Sequence, residues 1–196
     1  MHFRKAFIAA ALAVAPVWAG GKSVNVYWGQ NGADTLESAC ESDGFEYITL
    51  GFINSSPENG NGTGYPGSNF GAHCWAETYS NNGRQSHLYT TCLSIQSGIS
   101  KCQANGKKVL LSVGGVYNGT TSNYTVSNAA KGVEFANFMW NAFGPYTSSW
   151  TGPRPFDDPS TGTKNVVDGY DFDIEYPFGD CLPHFHVIRE HRLTSE

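Results

Sequence analysis

Four acidic residues fall within one eight-residue run of this 196-residue chain. The run reads Asp-Gly-Tyr-Asp-Phe-Asp-Ile-Glu over residues 168–175. Three of the acids, Asp171, Asp173 and Glu175, alternate with aromatic or aliphatic residues, so a β-strand would place their carboxylates on one face. Crowded carboxylates raise one another's pKa, which costs free energy. Such a column therefore indicates a catalytic site that moves protons.

Two non-catalytic interpretations fit the acidic run less well. A solvated edge strand needs no packing surface, whereas Tyr170, Phe172 and Ile174 give the second face of this strand one. A calcium loop of the EF-hand type needs a loop glycine and a downstream glutamate, and the run lacks that spacing. We interpret the column as catalytic, and we expect Asp168, which begins the strand, to be structural.

Strand-like and helix-like segments alternate along the chain, which favours βα units around a parallel sheet. Strands are predicted at residues 24–28, 46–53, 109–113 and 170–175. Two apolar stripes at helical spacing flank the third strand. The first stripe consists of Cys92, Ile95, Ile99 and Cys102. The second consists of Ala129, Val133, Ala136, Trp140 and Phe143, and Gly144-Pro145 ends that helix.

Four stretches together resemble glycoside hydrolase family 18, and within it the hevamine-like class III chitinases of plants and fungi. Residues 168–175 match the family's Asp-x-x-Asp-x-Asp-x-Glu signature, and residues 26–31 resemble its first strand. Residues 51–54 resemble the end of the second strand, and residues 108–115, with Ser-Val-Gly-Gly, the third. The resemblance implies an α/β fold, the (β/α)8 TIM barrel, with about the first four βα units in this chain.

The resemblance also implies a reaction, the retaining, substrate-assisted hydrolysis of β-1,4-linked N-acetylglucosamine polymers, with no cofactor. Glu175 would be the general acid and base, Asp173 would orient the substrate's acetamido group, and Asp171 would tune the shared proton. The residues expected to line the substrate cleft are Tyr27, Gln30, Asn54, Gly114 and Gly115. Packing or turn roles remain open for each of these five.

Other functions remain open on the same scaffold. An endo-β-N-acetylglucosaminidase acting on N-glycans shares the strand signature, although the Trp-Gly-Gln-Asn start at residues 28–31 favours a chitinase. A non-catalytic chitin-binding lectin or inhibitor usually lacks the glutamate, whereas Glu175 is present. Residues 55–91, rich in Gly, Asn and Ser, are predicted as a long loop beside the site. Its aromatic rings could stack on sugars or simply anchor the loop.

The beginning of the chain predicts a secretory signal peptide over residues 1–19. Arg4 and Lys5 precede an apolar run at residues 6–17, which is too short to span a bilayer. The chain carries 12 Lys and Arg against 17 Asp and Glu, a net charge of −5 with no basic cluster. This balance argues against nucleic acid and membrane partners. A secreted, extracellular monomer that binds chitin or N-acetylglucosamine oligosaccharides is expected.

Five cysteines in an exported chain predict disulfides, whose pairing the sequence alone leaves open. The resemblance implies two pairs, Cys40 with Cys102 and Cys74 with Cys92, which leaves Cys181 over. Four sequons, at Asn54, Asn61, Asn118 and Asn123, allow N-glycosylation in a eukaryotic host. Asn54 is the least favoured of the four because it is expected inside the cleft.

The resemblance stops after Glu175. Residues 177–196 are therefore expected to be a non-family tail, either disordered or an artefact of the gene model, after a half barrel at residues 20–176. No metal site is predicted there, because His184, His186 and His191 lack further ligands at suitable spacing. A full barrel typically needs about 250 residues. We therefore expect the chain as given to be an incomplete fragment, weakly active or inactive.

Overall fold

The computed structural model describes residues 23–75 and 77–176, which form a mainly parallel sheet with helices between its strands. The strands are β1 Asn25–Trp28, β2 Tyr47–Ser55, β3 Gly67–Ser68, β4 Thr78–Asn81, β5 Arg84–Tyr89, β6 Lys108–Gly115 and β7 Gly169–Ile174. The helices are α1 Leu36–Cys40, α2 Leu93–Ala104 and α3 Ala129–Phe143. The four strands predicted from the sequence correspond to β1, β2, β6 and β7, with ends shifted by at most two residues.

The order of the parallel strands in the sheet is β1-β2-β6-β7, which is also their order along the chain. A barrel keeps this order, whereas a doubly wound sheet reverses direction part-way across. Strand β3 adds an antiparallel partner at the end of β2. Strands β6 and β7 pair so that Ser112 lies opposite Asp171 and Gly114 lies opposite Asp173.

The segment predicted as a long loop contains more regular structure than its composition indicates. Strands β4 and β5 form a hairpin through Asn82 and Gly83, whose φ angles of 53° and 70° are both positive. Asn-Gly is the preferred pair for this two-residue turn, so the sequence did carry the signal. Two of the aromatic residues anchor the segment, because Tyr65 packs on Phe138 and Phe70 is fully buried.

Apolar faces of the helices cover the sheet, and two disulfides tie the helices and the hairpin in place. The stripe on α2 is buried as predicted. The buried face of α3 is rotated from the predicted one, since Phe135 and Met139 are buried while Ala129 is exposed. Disulfides join Cys40 to Cys102, between α1 and α2, and Cys74 to Cys92, the two pairs that the resemblance implies. No helix in residues 23–75 and 77–176 combines the length and apolar character needed to cross a membrane.

Candidate active site

Strand β7 places its acidic column on one face, at the carboxyl end of the sheet. Asp171 and Asp173 lie within the strand, and Glu175 follows its last residue. On the other face Tyr170, Phe172 and Ile174 pack against the core. The Tyr170 hydroxyl also donates a 2.8 Å hydrogen bond to the Met139 carbonyl on α3. This apolar face therefore packs against the core, on the side of the strand opposite the carboxylates.

Asp171 is the most firmly held of the three acids. Its Oδ2 accepts a 2.6 Å hydrogen bond from the Tyr27 hydroxyl on β1 and a 2.7 Å bond from Ser112 Oγ on β6. Partial burial, the hydrogen bond to Asp171, and the charges of Asp171 and Asp173 together raise the pKa of Tyr27. Tyr27 is thus held protonated, as a donor to the acidic column.

Asp173 lies between the other two acids and is only partly exposed. Burial raises its pKa, the negative charge of Asp171 raises it further, and a hydrogen bond with Glu175 lowers it in part. A carboxyl group in this position takes up a proton more readily than an ordinary aspartate. The column can therefore share protons between adjacent carboxylates, which is the chemistry that its spacing predicts.

Glu175 faces a cavity of about 490 Å³ at the end of the sheet. Four of the five residues predicted to line the cleft also line this cavity: Gln30, Asn54, Gly114 and Gly115. The side chain of Glu175 is exposed, and its backbone N–H donates a 3.0 Å hydrogen bond to the Tyr124 hydroxyl. Glu175 is thus held in position but not enclosed by residues 23–75 and 77–176.

Hydrogen bonds to main-chain carbonyls fix two of the amide side chains that line this cavity, those of Gln30 and Asn54. Gln30 Nε2 donates to Gly51 O at 2.8 Å and to Asn69 O at 2.7 Å. Asn54 Nδ2 donates to Thr121 O at 3.1 Å. The fifth predicted residue, Tyr27, lies in an adjoining cavity of about 180 Å³ and reaches the column through Asp171 instead.

A second cavity extends the groove away from Glu175. It has a volume of about 300 Å³ and shares Asn54, Asn69 and Thr121 with the first. The hairpin contributes His87 and Tyr89 to its wall. The two cavities together offer a groove that is longer than one sugar ring and lined with amide, hydroxyl and aromatic groups.

Asp168 has the structural role expected for it. Its Oδ2 accepts hydrogen bonds from Val109 N at 3.0 Å and Gln103 Nε2 at 2.9 Å, and its Oδ1 pairs with Lys108 Nζ at 2.8 Å. Burial alone would raise the pKa of Asp168, but the bonds from Lys108, Val109 and Gln103 outweigh it and hold the pKa below its usual value. The ionised carboxylate therefore stabilises the fold.

The variant Asp168→Asn should lower the free energy of unfolding at neutral pH by about 1–3 kcal/mol, the typical effect of losing charge-assisted hydrogen bonds. A lowered folded-state pKa stabilises the protein above about pH 4, and this contribution is lost as the pH falls through the folded value. Urea unfolding at several pH values should therefore show the two proteins converging in acid. Glu134→Gln, which breaks an exposed pair with Lys131, is the control and should change little. A pH-independent gap between Asp168→Asn and the parent would contradict this explanation.

Sequence reasoning missed two residues of the site. Ser112 lies in the Ser-Val-Gly-Gly motif as a buried hydroxyl in an apolar strand, a signal that could have pointed to Asp171 opposite it. Tyr124 lies in the segment between β6 and α3 and carries no comparable signal. Within residues 23–75 and 77–176 no cluster of His, Cys, Asp and Glu is arranged to hold a metal ion. Cys181, His184, His186 and His191 lie outside the described residues.

The chain is similar to known glycosyl hydrolases. The model of the family described as Glycosyl hydrolases family 18 matches residues 23–192, of which residues 177–192 lie outside the described part. Endochitinase A of Emericella nidulans is 44% identical over 158 residues, covering 79% of this chain and 15% of that protein. Endochitinase 2 of Coccidioides posadasii is 45% identical over 153 residues, covering 76% of this chain and 17% of that protein. The chain thus spans less than a fifth of either relative.

Solved structures show the same fold over a larger share of their length. The ICChI chitinase from Ipomoea carnea is 28% identical with a TM-score of 0.61, and the match covers 87% of this chain and 54% of that one. The xylanase and alpha-amylase inhibitor protein XAIP-II from Scadoxus multiflorus is 25% identical with a TM-score of 0.62, covering 90% and 54%. The family match, the fold and the acidic column of β7 agree: the chain belongs to glycosyl hydrolase family 18, and its sheet is part of that family's α/β TIM barrel.

Proposed function

We propose that this chain is part of a secreted endochitinase that hydrolyses β-1,4 linkages between N-acetylglucosamine units. The observation that carries the proposal is the column of Asp171, Asp173 and Glu175, which ends in a groove lined by fixed amide groups. The two relatives at 44% and 45% identity are both named endochitinases. The two disulfides of the described residues are consistent with the oxidising environment of secreted proteins.

The proposed reaction begins with the substrate's own acetamido group. Its carbonyl oxygen bonds to the anomeric carbon while the bond from that carbon to the glycosidic oxygen breaks. Glu175 gives its proton to the departing oxygen. Asp173 holds the acetamido N–H and balances the positive charge of the cyclic intermediate. Its raised pKa suits a group that exchanges a proton with its neighbours as this charge appears and disappears.

Hydrolysis is completed when water attacks the anomeric carbon of the intermediate. Glu175, now a carboxylate, accepts the proton of the water, and the acetamido oxygen leaves the anomeric carbon. Two displacements at the same carbon retain its configuration. Asp171, held by Tyr27 and Ser112, supplies the negative charge at the base of the column throughout.

The test is to incubate the chain with a chitin hexamer and follow the products by chromatography and the anomeric signals by NMR. We expect slow cleavage at internal linkages, with β-anomers formed first. Slow turnover is expected because Glu175 is exposed to water, whereas catalysis by charged and polar groups is strongest in a site that excludes water. Products of inverted configuration would contradict the substrate-assisted mechanism.

Two alternative functions give different results in the same experiment. An endo-β-N-acetylglucosaminidase would leave the hexamer intact and cleave the core of an N-linked glycan. A non-catalytic binder would be retained on chitin beads without releasing sugar. The structural similarity to XAIP-II supports this second alternative, because that protein is named as an inhibitor. The presence of Glu175 in the groove favours the enzyme.

A further inference from the structure

We propose that Tyr124 is a positioning residue for Glu175, and that its hydroxyl sets the place where the acid enters the groove. The inference rests on the proposed function, because it concerns the general acid of that reaction. Tyr124 is fully buried, so its hydroxyl has a fixed environment rather than a solvated one.

The Tyr124 hydroxyl joins the ends of two strands. It accepts a 3.0 Å hydrogen bond from the backbone N–H of Glu175 and donates a 3.0 Å bond to the carbonyl of Gly115. Gly115 is the last residue of β6, and Glu175 is the first residue after β7. Both the proton and a lone pair of this one hydroxyl are therefore used to hold the acid beside β6.

The position of Glu175 makes such a bridge necessary. The pairing of β6 with β7 ends at Gly115 and Ile174, so the main chain of Glu175 lies just beyond the paired residues. A carboxyl group on an untethered end would sample many positions. A displacement of about 1 Å can cost a reaction on the order of 10²-fold in rate, so the bridge matters more for the chemistry than for the fold.

The ring of Tyr124 is itself held from two sides. It packs edge-on against Tyr117, with ring centroids 5.7 Å apart, and Tyr117 in turn contacts Tyr176, the neighbour of Glu175, at 4.3 Å. The preceding residue, Asn123, accepts a 3.0 Å hydrogen bond from Ser56 N at the end of β2. Tyr124 is thus a rigid link between the ends of β2, β6 and β7.

The Tyr124 hydroxyl stays protonated, because its pKa is raised above the usual value for tyrosine. Burial raises the pKa of Tyr124, the bond from the Glu175 amide lowers it in part, and the charges of Glu175 and Asp173 raise it again. A protonated hydroxyl is required, because a phenolate could not donate to the Gly115 carbonyl.

Tyr124→Phe removes the bridge and keeps the ring, and Tyr170→Phe is a matched control. The control removes a hydroxyl that also bonds a main-chain carbonyl, that of Met139 on α3, from the face of β7 opposite the acidic column. In the parent chain and both variants we would measure the kcat and KM for a chitin hexamer. The amide hydrogen exchange of Glu175 would be measured by NMR on the same samples.

We expect Tyr124→Phe to lower kcat on the order of tenfold with KM changed by less than about twofold. The Glu175 amide should exchange faster in Tyr124→Phe only. Tyr170→Phe should leave all of these values as in the parent.

The outcomes separate the two proposals. An unchanged exchange rate of the Glu175 amide in Tyr124→Phe overturns the positioning role, whether or not the chain is active. Equal losses of kcat in Tyr124→Phe and Tyr170→Phe also overturn it, since a general loss of stability would then explain both. Hexamer products of inverted configuration contradict the proposed function, and the exchange measurement still decides the role of Tyr124.

Discussion

Glu175→Gln is expected to reduce hydrolysis of chitin oligosaccharides on the order of 10²–10⁴-fold, the range that one general acid and base contributes. The glutamine amide has nearly the shape of the carboxyl group, but it cannot give a proton to the glycosidic oxygen or take one from water. The rate would be followed as products released from the hexamer. Retention on chitin beads should persist, because the groups that line the rest of the groove are unchanged.

The free energy of unfolding of Glu175→Gln is the control for this loss of activity. Glu175 is exposed and follows the end of β7, so the substitution should change the free energy of unfolding by less than about 0.5 kcal/mol. Hydrolysis that persists at the parent rate in Glu175→Gln would assign the acid to another residue. An unfolded variant would indicate that Glu175 supports the fold, which its exposure does not predict.

Gly114→Ala is expected to have the largest effect on stability, a loss of more than about 4 kcal/mol or a failure to fold. A Cβ atom on Gly114 would lie 1.8 Å from the carbonyl oxygen of Asp173, its partner on β7. The clash is with main chain, so no side chain can rotate to relieve it. The φ angle of +140° adds strain for any residue with a Cβ atom. Urea unfolding and the near-ultraviolet circular dichroism would measure the effect.

Gly106→Ala separates the clash from the strain. Gly106 also has a positive φ, +77°, but a Cβ atom there would meet nothing within 4 Å. This control should therefore lose only about 1 kcal/mol, the usual cost of placing alanine in such a conformation. Similar losses in the two variants would mean that backbone strain dominates and that β7 can move away from β6 at little cost.

The sequence predicted the central strands β2 and β6 well because each contains a compact apolar run. Residues 48–51 and 109–113 are buried or half-buried on both faces, which gives a nearly continuous apolar signal. The hairpin of β4 and β5 was missed, since its strands are largely polar and solvent-facing, and only the Asn82-Gly83 turn marks it. The buried face of α3 was misplaced because apolar residues surround most of that helix.

The site was predictable where the chemistry lies in one strand and not where it comes from contacts between distant segments. The alternation of Asp171, Asp173 and Glu175 is a local pattern, and period-2 geometry converts it directly into a shared face. The bond from Tyr27 to Asp171 joins residues 144 positions apart, and that from Glu175 to Tyr124 joins residues 51 apart. No spacing rule predicts such pairs, because they depend on how the strands are brought together.

The contacts of Asp168 fix the face of the sheet on which the carboxylates of the acidic column lie. Side chains of a strand alternate between faces, so sliding β7 by one residue against β6 would turn all three carboxylates towards the helices. The Asp168 carboxylate accepts a hydrogen bond from the Val109 N–H, and the Asp168 N–H donates one to the Val109 carbonyl. Two hydrogen bonds therefore join Asp168 to one residue of β6. This link allows a single alignment of the two strands. A residue that takes no part in proton transfer therefore decides which side of the sheet the proton-transfer groups face.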